Sequence, residues 1–205
     1  MLRGAHARAR LASGIYGAGL RGGGVNMDDI VKQAMVKWPN VPHCFGWLGL
    51  DTRGNWFLRD EDAQARGPFC GGGPLAKGSV LRHDKLVDFI ARNYQSDEQG
   101  CWYFQNGPQR VYVELELTPW IWRLSADFTV RSHTDRAATT QACWLDEHGR
   151  VYLETDIGFG LVHTLDVAIV AEAVLQGRWT PVDTFSQDLP QRFGYVISPK
   201  VSRSL

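Results

Sequence analysis

Between residues 101 and 124, apolar and polar positions change places with a strand's regularity: Val111, Val113, Leu115 and Leu117 alternate with Arg110, Tyr112, Glu114 and Glu116. A period of two puts successive side chains on opposite faces of a β-strand, so the first set is expected to face a core and the acids to face water. Asn106-Gly107-Pro108 supplies a turn before this strand, and Thr118-Pro119 interrupts it afterwards, because proline has no amide hydrogen to donate. The stretch therefore reads as three short strands in succession, the last carrying Trp120 and Trp122 on one face and Ile121 on the other.

Upstream, Ile30, Val31, Ala34, Met35 and Trp38 fall on one stripe of a helix that Asn26 can cap and Pro39 stops. Residues 45–50 and 55–58 read as a hairpin, 59–79 as a long polar, glycine-rich loop, and 83–94 as a helix with Leu86, Val87, Phe89 and Ile90 on its apolar face. Downstream, strands are predicted at 142–145 and 151–155. A helix over 165–175 is apolar nearly all round, which implies deep burial or conversion of part of it to strand. Strands joined by short turns, with few helices, predict an α+β fold of two small domains. The division falls near residue 124: a domain over 27–124, a β-rich domain over 125–199 and a tail over 200–205.

One phrase recurs. Asp51-x-x-Gly54-x-Trp56, Asp97-x-x-Gly100-x-Trp102 and Asp146-x-x-Gly149-x-Val151 each put an aspartate three residues before a glycine and ahead of an apolar run. Calcium loops need more carboxylates at alternating positions, and repeat architectures keep a fixed spacing. The phrase is read as a turn, with Asp bonding the backbone and Gly supplying a positive φ. Lys77-Gly78-Ser79 at the end of the long loop inverts the order of a phosphate loop and lacks a leading strand, so it is not read as one.

Charge and composition narrow the field. Lys plus Arg equals Asp plus Glu at 22 each, which leaves no electrostatic footprint for nucleic acid or an anionic membrane. Residues 1–26 hold Arg3, Arg8, Arg10 and Arg21 with no acid, and are read as a disordered leader or as the product of a start placed too early, with Met27 opening the foldable part. Without them 18 basic residues face 22 acidic ones. The four cysteines show no CxxC pair, so they read as reduced thiols of a cytoplasmic protein. No apolar run reaches the roughly 18–20 residues of a membrane helix.

Gly46-x-x-Gly49-x-Asp51-x-x-Gly54-x-Trp56, then a helix, then Asp97-x-x-Gly100-x-Trp102-Tyr103, then Val111-x-Val113-Glu114-x-Glu116-x-x-Pro119-Trp120 resembles the bacterial family known as domain of unknown function 1285, or a sister family. The resemblance covers mainly residues 45–125 and more faintly 140–197. The glycine-rich insert at 66–78 and Leu117-Thr118 depart from its pattern. It implies an α/β roll followed by a β-rich roll with one helix, and it brings no activity or cofactor with it.

No motif fixes a reaction. Glu114 and Glu116 share a strand face about 7 Å apart, which suits an acid–base pair or one that holds a metal; a solvated face with a cross-strand salt bridge is the more ordinary account. Arg82 or Arg123 would add anion partners to that patch, and Arg110 lies beside it. His43, Cys44, Cys70 and His83 lack the close pairing of zinc ligands, so no metal is expected; His83 reads as a helix cap, and His163 as a cap or a core histidine. Trp120 and Trp122 suit either core or the wall of a ligand site. The leading reading is a soluble protein binding a small molecule or a protein partner in the crevice between its halves, through Trp120, Trp122, Arg110 and Arg82. The alternatives are a small hydrolase using the glutamate pair or a His/Cys metal site, and a homodimeric structural module with exposed tryptophan surface.

Overall fold

The computed structural model describes residues 29–37 and 41–202; the leader, Trp38 and Pro39 lie outside the described residues. Two sheets and a few short helices make up the described residues, the α+β class expected. The first sheet is formed by β1 (Cys44–Leu50), β2 (Trp56–Leu58), β3 (Ser79–Val80), β4 (Tyr94–Ser96), β5 (Trp102–Asn106) and β6 (Gln109–Leu115), in the order β3-β2-β1-β6-β5-β4. The second holds β7 (Trp120–Leu124), β8 (Val130–Ser132), β9 (Ala137–Ala138), β10 (Thr140–Asp146), β11 (Val151–Thr155), β12 (Gly158–Val162) and β13 (Pro181–Thr184), in the order β13-β10-β11-β12-β7-β8-β9. Most neighbours are antiparallel; β1 with β6, β12 with β7 and β10 with β13 are parallel. The helices are α1 (Asp29–Lys37), α2 (Glu61–Ala65), α3 (Asp84–Arg92), α4 (Val167–Leu175), α5 (Leu189–Arg192) and α6 (Pro199–Ser202).

The recurring Asp-x-x-Gly phrase is a turn in all three places, with one hydrogen-bond scheme. Asp51 accepts the amides of Arg53 and Asn55, Asp97 those of Gln99 and Cys101, and Asp146 those of His148 and Arg150. Gly54, Gly100 and Gly149 take φ of 81°, 78° and 73°, where a side chain would be strained. Ser132 builds the same turn with its hydroxyl, accepting from Thr134 and Arg136, with Asp135 at φ 60° in the glycine's place.

The apolar face of β6 is where the alternation puts it, with Val113 and Leu115 fully buried among Leu48, Leu50 and Ile90. The opposite face corrects the expectation that it looks to water. Tyr112 is fully buried under a stacked Phe45, ring centroids 4.5 Å apart, and Glu114 is 3% exposed. Two segments cover this side. In the 59–79 stretch, buried Arg59 donates to the carbonyls of Ala76, Gly46 and Gly67, and Phe69 lies flat on the space that Gly49 leaves open. The C-terminal segment is the other: Leu115 N–H donates to Ile197, Val196 N–H to Gly100, and Ser198 to Glu114.

Trp120–Leu124 was read with the strands before it, but hydrogen bonds set it inside the second sheet, between β12 and β8. Thr118 makes the passage: its hydroxyl donates to the Trp120 carbonyl and accepts from Leu161 N–H. Trp120 and Trp122 lie across Gly158 and Gly160, and their indole N–H groups donate to the Ile157 and Leu153 carbonyls at 3.1 and 3.0 Å. A side chain at either glycine would occupy the indoles' place. The all-apolar stretch at 165–175 is a helix from Val167 onward; Val170 and Ala173 are buried and Leu175 is 83% exposed, so it lies half on the core.

Candidate functional site

The two sheets meet where the Asp51–Gly54 turn rests on the second. A Cβ built on Gly54 would lie 2.8 Å from His133 Cβ and 3.8 Å from Ile121, so the turn covers the row of the second sheet to which these belong. Aromatic rings fill the space beneath: His133 lies 5.4 to 5.8 Å from Trp56, Tyr94 and Trp120. Its Nδ1 accepts the Ile121 amide, its Nε2 is buried without a partner, and burial pushes its pKa down to about 3.

The next row outward is cationic. Arg123 of β7 stands directly opposite Arg131 of β8, and on the other side the ladder runs from Val162 beside Trp122 to His163, whose amide donates to the Trp122 carbonyl. Partners in adjacent strands point to the same face, so His163, Arg123 and Arg131 form one line across three strands. Arg53, the exposed neighbour of Gly54 in the turn of the first sheet, is near enough for its charge to act on His163.

Asp166 orders the line. It is 5% exposed, accepts Arg123 Nε at 2.6 Å and Nη2 at 3.3 Å, and takes Leu124 N–H on the same oxygen as Nε. Burial alone would raise its pKa, but the Arg123 hydrogen bond and the Leu124 amide outweigh it and hold the carboxyl below its usual range. Arg131 is engaged by Asp135. The His163 pKa is lowered by burial first, then by the Arg123 charge; Arg53 acts the same way, against Asp166 and Asp51. Charges from both sheets therefore act on one imidazole.

Most of the residues singled out from the sequence lie elsewhere. Trp120 and Trp122 are 1% and 0% exposed, core residues, which corrects their assignment to a ligand-site wall. Among the described tryptophans, Trp56, Trp120, Trp122 and Trp144 are buried and Trp47, Trp102 and Trp179 are half-buried. Glu114 accepts Ser198 Oγ at 2.5 Å and the Lys200 amide at 3.3 Å, while Glu116 accepts Lys77 Nζ at 2.6 Å and the Thr52 amide at 3.0 Å. Both carboxylates fasten covering segments to the sheet. Arg110 lies over the Tyr103 ring, 4.5 Å from its centroid.

Arg82 helps line an open concavity of about 510 Å³ with His83, Asp84 and Lys85, and neither glutamate is among its lining residues. His83 caps α3, accepting Leu86 N–H, and His163 accepts Leu165 N–H in the same way. Among the described residues no three His, Cys, Asp or Glu side chains group closely enough to hold a metal ion, and no helix is long and apolar enough to cross a membrane.

From the sequence alone Arg123 is expected only as a partner for the glutamates, and nothing local singles out Arg53 or Arg131. The signal that could have found the row is the strand register, which puts residues eight and forty apart in sequence side by side.

The model of a family designated DUF2944 and described as "Protein of unknown function (DUF2946)" matches residues 27–200. Among solved structures, the chain is similar to the crystal structure of a DUF1285 family protein from Silicibacter pomeroyi, with 12% identity and a TM-score of 0.44, over 65% of this chain and 72% of that one. The resemblance drawn from the sequence allowed for DUF1285 or a sister family, and the family model that matches is a different one from DUF1285. No curated protein matches.

Proposed function

We propose that this chain, which belongs to the DUF2944 family of proteins of unknown function, is a ligand-binding protein whose site lies where the Asp51–Gly54 turn meets the second sheet. The observation that carries the reading is the row His163–Arg123–Arg131 beside Arg53: charged side chains from both sheets gathered next to a buried aromatic junction. Small-molecule sites favour such seams between packed units, with a few polar groups aimed from rigid strands beside an apolar floor. In this proposal the two sheets act as two units, and the crevice inferred from the sequence keeps its place between them while its lining changes from tryptophan to arginine and histidine. The four cysteines are free thiols, which suits a reducing compartment and supports a cytoplasmic location.

Amide chemical shifts of the full chain, recorded against a library of small molecules, test the proposal. Shifts centred on residues 52–55, 123, 131 and 163 are expected. Ligands that move only amides far from the junction, or a library that moves none, would count against it.

A further inference from the structure

We infer that the ligand of this site carries an oxyanion, a carboxylate or a phosphoryl group, held by Arg53, Arg123 and the His163 Nε2–H with Arg131 at the flank. The inference rests on the proposed function and adds the chemistry of what is bound. Like charges directly opposite one another across an antiparallel pair are destabilising, and the Arg123–Arg131 pair is such a juxtaposition. Two acids temper it from the sides, Asp166 on Arg123 and Asp135 on Arg131.

Neither acid closes the face. Asp166 takes Nε and Nη2 of Arg123 and leaves Nη1 for another acceptor, and the Arg123 side chain remains 51% exposed. Arg53 is exposed, and no hydrogen bond or ion pair holds its guanidinium among the described residues. The carboxylate nearest to it in sequence, Asp51, is spent on the Arg53 and Asn55 amides and the Asn55 side chain.

His163 supplies the neutral donor. Its Nδ1 accepts the Leu165 amide, which assigns the ring proton to Nε2. Burial and the neighbouring arginines disfavour a second proton, so at neutral pH the ring donates one hydrogen bond. Guanidinium edges and an N–H converging from a turn and two strands match the planar, multidentate acceptor face of a carboxylate or phosphate. Asp166 and Asp51 are each already engaged by three donors of the protein's own, and Asp135 by Arg131.

The full chain, isotopically labelled, is titrated separately with inorganic phosphate, acetate and the uncharged methyl acetate. Saturable shifts of the amides at 52–55, 123, 131 and 163 are expected with phosphate, acetate or both, and not with methyl acetate. Phosphate alone points to a phosphoryl ligand, acetate alone to a carboxylate. Arg53→Gln, which removes no internal bond, should weaken the dissociation constant about tenfold, the equivalent of roughly 1.4 kcal/mol, and leave the melting temperature unchanged; Arg53→Glu should abolish the shifts.

The inference is overturned if neither oxyanion moves these amides, or if both Arg53 variants bind like the wild type. Equal shifts at residues 82–85 and at the junction would mean adventitious ion binding and overturn it as well. Neutral library compounds moving the junction amides where oxyanions do not would overturn the oxyanion assignment and leave the ligand-binding reading standing. Silence toward every compound overturns both.

Discussion

Replacing Gly160 by alanine tests whether Trp120 and Trp122 are core. The added Cβ would stand 2.4 Å from the Trp120 carbonyl oxygen, 2.6 Å from Trp120 Cβ and 2.7 Å from Trp122 Nε1. Two of these atoms belong to the backbone or its first side-chain carbon, fixed by the Gly160–Trp120 pairing of β12 with β7, so no rotamer change removes the clash. Overpacking of this kind costs about 1–3 kcal/mol. Pushing the Trp122 indole off the Leu153 carbonyl adds about 1–3 kcal/mol for an orphaned buried donor. Taking about 3 kcal/mol together, and about 2–4 °C per kcal/mol for a protein of this size, the melting temperature should fall by about 6–12 °C. A thermal scan followed by far-ultraviolet circular dichroism reads this out, and tryptophan emission should move to the red as an indole loses its cover. Were the two rings the wall of an open crevice, the Trp122 indole would swing aside and stay solvated, so the share of the loss due to an orphaned donor and the red shift of the emission would both be missing. A melting temperature within about 2 °C of the wild type, with unchanged emission, would refute the packing argument and restore tryptophan to the ligand site.

Two further outcomes are expected. The His133 pKa is lowered from 6.5 to about 3 by burial, so between those values the unfolded chain binds the extra proton; unfolding free energy should therefore fall with pH, by about 1.4 kcal/mol per unit, or about 2 kcal/mol from pH 7 to pH 5. Urea titrations at the two pH values should show that loss in the wild type and a loss smaller by about that amount in His133→Gln, which keeps an acceptor for the Ile121 amide; equal slopes would remove His133 as the cause. Arg59→Met should cost about 3 kcal/mol, because three carbonyls lose their buried donor, and should open the 59–79 stretch to trypsin at Arg66 or Lys77; a cleavage pattern like the wild type's would mean that Phe69 alone holds the stretch down.

What was legible in the sequence was whatever local geometry dictates. The alternation of β6 gave its inner face, the aspartate–glycine spacing gave three turns, and the helix signals of α3 and α4 placed both within two residues. The α3 reading ran on to Tyr94 because apolar content continues there; Asn93 ends the helix at φ −112°, and Tyr94 turns into a strand paired with β5. Strand β12 was missed because its sequence, Gly-Phe-Gly-Leu-Val, does not look like one. Its glycines are there for Trp120 and Trp122, some forty residues earlier, and such a long-range reason leaves no trace in a local window. The acids of β6 were misplaced for a related reason. A period of two tells which side chains share a face, but it is silent on what covers the second face, and here the cover of Glu114 comes from Ser198 and Lys200 at the far end of the chain.

The same limit explains why the chemistry moved. With both faces of β6 covered, and with Glu114 tied to Ser198 and Glu116 just beyond the strand tied to Lys77, the central ribbon offers a ligand little that the protein does not already use. The seam between the sheets differs, because the Asp51–Gly54 turn covers the row of Ile121 and His133 and stops there. One strand step is about 3.3 Å and the next side chain on the same face lies two steps on; the first row beyond the turn is therefore that of Arg123, set by register rather than by composition. An arginine at that position meets water on one side and the buried Asp166 on the other, and Arg131 opposite adds a second charge to the same edge. The juxtaposition carries an electrostatic cost that Asp166 and Asp135 temper from the sides. The cost is intelligible if an anion joins the row, since a shared negative ligand converts the repulsion between the two guanidinium groups into a reason for binding.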